Sequence, residues 1–368
     1  METASQTVST AKDRRDALVG RLFEATIAML DLMGIYLGDR LGLFRALAEG
    51  GPMTSAELAK NARIHERYAR EWLEQQAVTG ILDVDDSQAD AGERRFSLPA
   101  GHDEVLLDES SLNYAAPFGR LALACTRPMD ALVEAFRTGD GVPYADYGAD
   151  LHEGQAAFSR PIYDNLLGSE WLPAVPTVHE RLQAEPPAHV ADVACGEGRS
   201  SIAIARAYPG VRVDGIDSDA ASIAAARKHL QESGVEDRVT FHHRDAADPE
   251  LAGRYDLVTI FEALHDMSYP VAVLTAARGL LADGGSVFVG DEKTADVFTA
   301  PGDELERLYY GFSVLHCLPV GMIGENPAGT GTVMRADTVR KYGHDAGFRE
   351  VEVLPIENDF WRFYRLRP

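Results

Sequence analysis

Three aspartates stand at comparable places in the C-terminal half of the chain. Asp192 lies at the end of the apolar run HVADV, Asp217 closes VRVDGID, and Asp245 follows VTFHH. After the first of them comes a loop of small residues, Ala194-Cys195-Gly196-Glu197-Gly198. Gly196 and Gly198 carry no Cβ, so the backbone there can turn tightly and approach a ligand. The loop is not a complete dinucleotide fingerprint, because Ser201 holds the place of the third glycine. It also lacks the Lys and Ser/Thr of a triphosphate loop. Three carboxylates repel a pyrophosphate but suit a cation. Asp192 can hold a cationic amino group, directly or through water. Asp217, nineteen residues after Gly198, can accept both hydroxyls of a ribose, and Asp245 can face an adenine edge. A positively charged sulfonium nucleoside meets all three demands.

A second constellation lies in FEALHDMSYP. His265 follows the fourth strand-like run, and Asp291 and Glu292 end the fifth, SVFVGDE. An imidazole there can take the proton of a hydroxyl acceptor. Either acid can orient the ring, and Glu325 is a weaker third. Moving a proton fully from a phenol near pKa ~10 to a histidine near ~6.5 costs on the order of 5 kcal/mol. Transfer therefore has to be concerted with bond formation at the oxygen, unless the site stabilises the phenolate. A ring N–H whose ring carbon reacts is the alternative proton source, with His265 or an acid accepting the proton. No tight cluster of carboxylates and imidazoles is visible at ligand spacing, so no metal is expected.

These residues need a sheet to hold them. From about 186 onward, strand-like and helix-like runs alternate: VADVA, VRVDGID, VTFHHRD, YDLVTIFEA and SVFVGDE are separated by helical patterns. Such alternation predicts an α/β fold with a doubly wound, mostly parallel sheet. Its ligands bind where strand order reverses, outside the carboxyl ends of the strands. FREVEVLPI and DFWRFYRLRP bring the strands to seven, and their short connection makes the last one antiparallel.

Upstream, residues 1–100 read as a helical domain, 101–185 as a helical connecting region and 186–368 as the Rossmann-like domain, with QAEPPAH as the linker. Leu18, Leu22, Ala25, Met29, Leu32 and Tyr36 form one helical seam, and Phe23, Ile27, Leu30 and Leu37 a second face. A helix apolar on two sides is buried on two sides, so a homodimer through these N-terminal helices is expected. Thr54 and Glu57 have capping-box spacing. Three further helices and a hairpin at ILDVDDSQADAGERRFSLPAG make a winged helix. A DNA-binding regulator that senses a cofactor is the competing reading. Against it, Arg67, Arg70, Arg94 and Arg95 are outnumbered by acids on the same elements.

The motifs DVACGEG, VDGID, HRDA, YDLVTIF and LLADGGS, in this order, resemble those of class I S-adenosylmethionine-dependent methyltransferases. Ala194 departs from that pattern, which usually has glycine there. The resemblance covers the C-terminal half. With the N-terminal winged helix it implies a bacterial small-molecule O- or C-methyltransferase of secondary metabolism, with S-adenosylmethionine as cofactor. It implies a cofactor-binding set of Asp192, Ala194, Gly196, Gly198, Asp217, Asp245, Ala246, Phe261 and Tyr163, and His265 as general base supported by Asp291 or Glu292. The segment DELERLYYGFSVLHCLP, inserted after the fifth strand, reads as a lid over an aromatic acceptor. Tyr310, Phe312 and Met322 are its pocket candidates, and Trp171 joins them from the middle region.

The bulk properties agree with this picture. The formal charge of −23 disfavours polyanionic partners. Cys125, Cys195 and Cys317 are scattered, which disfavours a disulfide framework. The first twenty residues are polar and do not read as a secretory signal. No apolar run reaches the ~20 residues of a membrane span. A cytoplasmic protein is expected.

Overall fold

The computed structural model describes residues 10–248 and 254–368. Part of the N-terminal stretch judged not to be a secretory signal, residues 1–9, lies outside the described residues. The chain divides into two compact units, Met1–Ala122 and Leu123–Pro368, where the sequence suggested boundaries near 100 and 185. No helix among the described residues is long and apolar enough to cross a membrane.

The first unit holds α1 (Ala11–Arg40), α2 (Leu43–Gly50), α3 (Ser55–Ala62), α4 (Glu66–Val78), the paired β1 (Asp83–Val84) and β2 (Phe96–Ser97), and α5 (His102–Leu107). Capping boxes open α1 at Thr10/Asp13 and α3 at Thr54/Glu57. Leu43, Phe44, Leu47, Leu58, Leu73 and Phe96 form the core. Only the C-terminal part of α1 meets it. The indole N–H of Trp72 donates to the Gly34 carbonyl at 2.9 Å, and the Trp72 and Phe44 rings meet edge-on at 5.1 Å. The apolar residues of the earlier turns, Leu18, Val19, Leu22, Phe23, Ile27, Met29 and Leu30, are exposed. The arginines that a DNA-facing reading would need are paired within the unit: Arg67 with Glu71, Arg70 with Glu66, Arg94 with Glu74 and Arg95 with Glu57.

After α6 (Pro117–Thr126), the second unit is built on β3 (His189–Val193), β4 (Arg212–Asp217), β5 (Val239–His243), β6 (Tyr255–Phe261), β7 (Leu281–Glu292), β8 (Glu350–Val353) and β9 (Trp361–Arg367). Their order is β5-β4-β3-β6-β7-β9-β8. The first five pair in parallel, and β9 runs antiparallel to both its neighbours. The expected seven-stranded, doubly wound sheet is therefore present. Its helices are α7 (Met129–Thr138), α8 (Ala149–Ile162), α9 (Pro176–Gln183), α10 (Arg199–Ala207), α11 (Ala220–Leu230), α12 (Pro270–Leu280), α13 (Glu304–Phe312), α14 (Leu318–Gly321) and α15 (Ala336–Asp345).

The period-two geometry of a strand sends alternate residues to opposite faces. Val190 and Leu257 join one core with Trp171, Ile202 and Phe241, while Ala191, Val258 and Ile260 join the other with Leu274 and Val339. Because both faces are covered, β3 and β6 are buried almost throughout. Strand order reverses at β3, which places a ligand crevice at its carboxyl end.

Two glycines of α1 test this packing. A Cβ on Gly38 would lie 2.4 Å from Phe44 and 2.6 Å from Trp72, whereas one on Gly20 would meet nothing within 4 Å. Gly38→Ala should lower stability by about 1–3 kcal/mol in urea unfolding, and Gly20→Ala should raise it by up to about 1 kcal/mol. Equal effects would contradict the packing described.

Candidate active site

A cavity of about 670 Å³ opens where strand order reverses, lined from the ends of β3, β4 and β6, the loop after β5, α8, and residues 143–144 and 320–324. Its floor is the loop after β3. Three residues there have left-handed backbones: Ala194 (φ +56°), Gly196 (+52°) and Gly198 (+75°). Ala194 holds a conformation that costs a non-glycine residue roughly 1–2 kcal/mol. This explains why glycine suits that position. A Cβ on Gly196 would project into open space, so this glycine faces the cavity. Gly198 does not line it. A Cβ there would sit 2.3 Å from Phe241 Cζ, so its smallness serves core packing instead of the ligand approach expected from the sequence.

The three aspartates part company. Asp192 is 1% exposed and does not line the cavity. Its carboxylate accepts from the hydroxyls of Ser200 and Ser201, both at 2.6 Å, and of Thr259 at 2.7 Å. Its expected contact with a cationic amino group is corrected to an internal brace that ties β3 to the first turn of α10 and to β6. Asp217 lines the cavity, with its two oxygens fixed by the N–H groups of Gly196 and Asp219, each at 2.8 Å. Burial raises its pKa. Asp245 and Ala246 line the cavity too, and Asp245 accepts from the Ala247 N–H at 2.8 Å. Phe261 and Tyr163 form the wall, their rings 5.5 Å apart.

The wall carries six carboxylates: Glu197, Asp217, Asp219, Asp245, Glu262 and Asp266. The basic residues among those lining it are Arg199 and His152. Glu262 was not singled out from the sequence, although it directly follows β6. It has a positive φ of 50° and accepts from the Gln155 amide and the Ser159 hydroxyl, both at 2.8 Å. Burial pushes its pKa up to about 7 against those hydrogen bonds. Asp266 is likewise pushed up by burial, to about 6.

His265, Asp291 and Glu292 are brought together, but behind the wall. His265 is 3% exposed and absent from the cavity lining. Its Nδ1 lies 2.9 Å from both Asp291 Oδ1 and Glu292 Oε2. One N–H cannot point at both oxygens, and the hydrogen bond goes to Asp291. Despite burial, the two carboxylates hold the imidazole pKa well above its ordinary value. Asp291 is held below the usual range by the imidazolium, while Glu292, buried beside a second acid, is pushed up to about 8. Asp291 thus orients the ring, as the sequence suggested for one of the two acids, while the ring itself does not line the cavity. The absence of a tight imidazole–carboxylate cluster is also corrected, since these three groups offer ligand atoms within 4.8 Å of one another. Their donor types suit a divalent ion, although the imidazole already pairs with both acids.

The acceptor candidates fare less well. Trp171 is fully buried among Tyr163, Trp361 and Phe363. It shares with Tyr163 a π-helical segment, Tyr163–Trp171, and one core, yet only the tyrosine also lines the cavity. Tyr310, Phe312, Met322 and Glu325 do not line the cavity. A second π-helical segment, Ser313–Cys317, follows α13, and it is Val320, Ile323 and Gly324 that reach the wall. Tyr144 and Tyr269 supply the aromatic surface, and neither stood out in the sequence as a pocket residue.

The raised Glu262 pKa gives a signed expectation. Between its ordinary value of 4.5 and its folded value of about 7, ionisation progressively destabilises the folded protein. Thermal unfolding of Glu262→Gln should match the parent near pH 4.5 and exceed it at pH 8, by at most about 3 kcal/mol. A variant that is less stable at pH 8 would contradict the assignment.

Comparison with known proteins follows the same outline. A family model described as a methyltransferase domain matches residues 191–287, and one described as an Rv2258c-like winged HTH domain matches 28–107. The ubiquinone biosynthesis O-methyltransferase of Pseudomonas paraeruginosa is 38% identical over 181 residues, 48% of this chain and 72% of that protein. Its counterpart in Marinobacter nauticus is 41% identical over 100 residues, 27% of this chain and 41% of that protein. The chain thus spans about two fifths to a half of several curated relatives it matches. The structure of human N-acetylserotonin methyltransferase in complex with SAM superposes with a TM-score of 0.67 at 16% identity, covering 100% of this chain and 99% of that one. At that identity the likeness is one of fold.

Proposed function

Since the chain belongs to the class I S-adenosylmethionine-dependent methyltransferases with an N-terminal winged-helix domain, we propose that the cavity binds S-adenosylmethionine and that the protein methylates a small aromatic acceptor. The observation that carries this reading is the excess of carboxylates around a glycine-opened loop. When bound, the cofactor supplies a methyl group on a positively charged sulphur. The residues present fit such a group. Asp217 is held by two backbone N–H groups and keeps lone pairs for ribose hydroxyls. Gly196 lets the ligand come close, and Phe261 and Tyr163 give an apolar wall. Glu262, raised by burial to about 7, provides negative charge once ionised, and near a buried carboxylate a charge pair is stronger than in bulk.

The leaving group needs no further activation, so the chain's main task is to position the acceptor and exclude water. Tyr144, Tyr269, Val320 and Ile323 offer the surface for an aromatic ring. His265, Asp291 and Glu292 brace the strand ends behind it. Phenolic oxygen and indole-type carbon are both compatible with this wall. A second copy of the chain is the proposed cover for the exposed apolar turns of α1.

Calorimetry tests the core of the proposal. S-adenosylmethionine should bind, and Asp217→Ala should weaken it by roughly tenfold or more. The affinity ratio of S-adenosylmethionine to its neutral thioether product should rise between pH 5.5 and 8, as Glu262 ionises through about 7. No binding at millimolar ligand, or a ratio flat with pH, would defeat the reading. Incubation with methyl-labelled cofactor and a panel of phenols and indoles, read by mass, then identifies the acceptor class.

A further inference from the structure

The carboxylates of the cavity wall differ in what already occupies them. Asp217 accepts from two N–H groups, Asp219 from Ser222, Asp245 from Ala247, and Glu262 from Gln155 and Ser159. Glu197 lies 3.7 Å from His229. Among the described residues, no other residue donates a hydrogen bond to the Asp266 side chain. Its one such contact is with its own backbone.

Asp266 is nevertheless firmly placed. Its N–H donates to the Ala263 carbonyl at 3.2 Å, and the Ala328 N–H donates to the carbonyl of Ser268 at 2.8 Å. Tyr269 donates its hydroxyl to the Glu325 carbonyl at 3.0 Å. Gly321 packs so close that a Cβ would stand 3.1 Å from the Asp266 carbonyl oxygen. The carboxylate faces the same space as Tyr144, whose phenol is pushed up by burial and then by the charges of Asp217 and Asp266. The neighbouring positive charge, on His265, is committed to Asp291. A carboxylate that no neighbouring donor occupies, in a cavity that also presents the Tyr144 and Tyr269 rings, is a receptor for a cation, which such rings can also attract.

We infer that the acceptor carries a protonated amine and that Asp266 receives it, making the substrate class small aromatic amines. This rests on the reading of the cavity as a cofactor and acceptor site.

Three probes share a phenol ring and differ in the side-chain head: tyramine is cationic, tyrosol neutral and 4-hydroxyphenylacetate anionic. Their binding is measured by calorimetry on the full chain saturated with S-adenosylhomocysteine, which needs no turnover. Tyramine should bind most tightly, roughly ten- to a hundredfold above the anion. Asp266→Asn should erase the preference, and Asp266→Glu should retain much of it. Binding of S-adenosylhomocysteine to each variant reports that the site is intact. Equal or tighter binding of the neutral or anionic probe, a preference that survives Asp266→Asn, or no tyramine binding at millimolar concentration overturns the inference alone. Failure of S-adenosylhomocysteine to bind the parent protein defeats the cavity reading and this inference with it.

Discussion

The second unit depends on keeping carboxylates crowded at one edge of a parallel sheet without losing the fold. A buried charge is costly unless hydrogen-bonded or paired. The chain meets that condition residue by residue. Three hydroxyls satisfy Asp192, two backbone N–H groups satisfy Asp217, and an amide and a hydroxyl satisfy Glu262. The edge can then stay negative while remaining rigid. A neutral crevice of the same shape would have no reason to prefer a sulfonium ligand.

Behind that edge lies a balance of opposite sign. His265 is the positive centre for Asp291 and Glu292, at the seam between β6 and β7. Neighbouring acids facing one imidazolium cannot both ionise freely, so their proton affinities separate. The cluster stiffens the strand ends that carry Glu262 and Asp266.

The two π-helical segments have a common consequence. Each adds backbone between a well-packed helix and the site, and such segments are frequent where function requires an irregular placement. Tyr163–Trp171 shifts which face of the helix meets the cavity, and Gly168 lets it lie against Ala207, where a Cβ would come within 2.2 Å. Ser313–Cys317 moves the wall-forming residues downstream to Val320 and Ile323. In the first unit, the contrast is between the part of α1 locked by Trp72 and the long exposed apolar turns before it. An apolar surface of that extent marks an interaction face.

The order of strands and helices was legible because each element writes its own period, two or 3.6, into adjacent residues. The turn at Gly196 and the cavity-facing place of Asp217 were legible for the same reason, since both are set within one strand–loop–helix unit. What the sequence left open was the direction of single side chains at strand ends. Asp192 and Glu262 are both acids at the same edge, yet one turns inward to Thr259, 67 residues away, and the other faces the cavity. Trp171 and Tyr163 share a π-helical segment and one core, yet only Tyr163 also lines the cavity. Asp291 and Glu292 were both legible as acids beside His265, but which of them takes its hydrogen bond was decided only by the packed ends of β6 and β7. Local periodicity determined which elements form and in what order. Partners distant in sequence, which no local pattern encodes, decided which carboxylates meet a ligand and which hold the fold together.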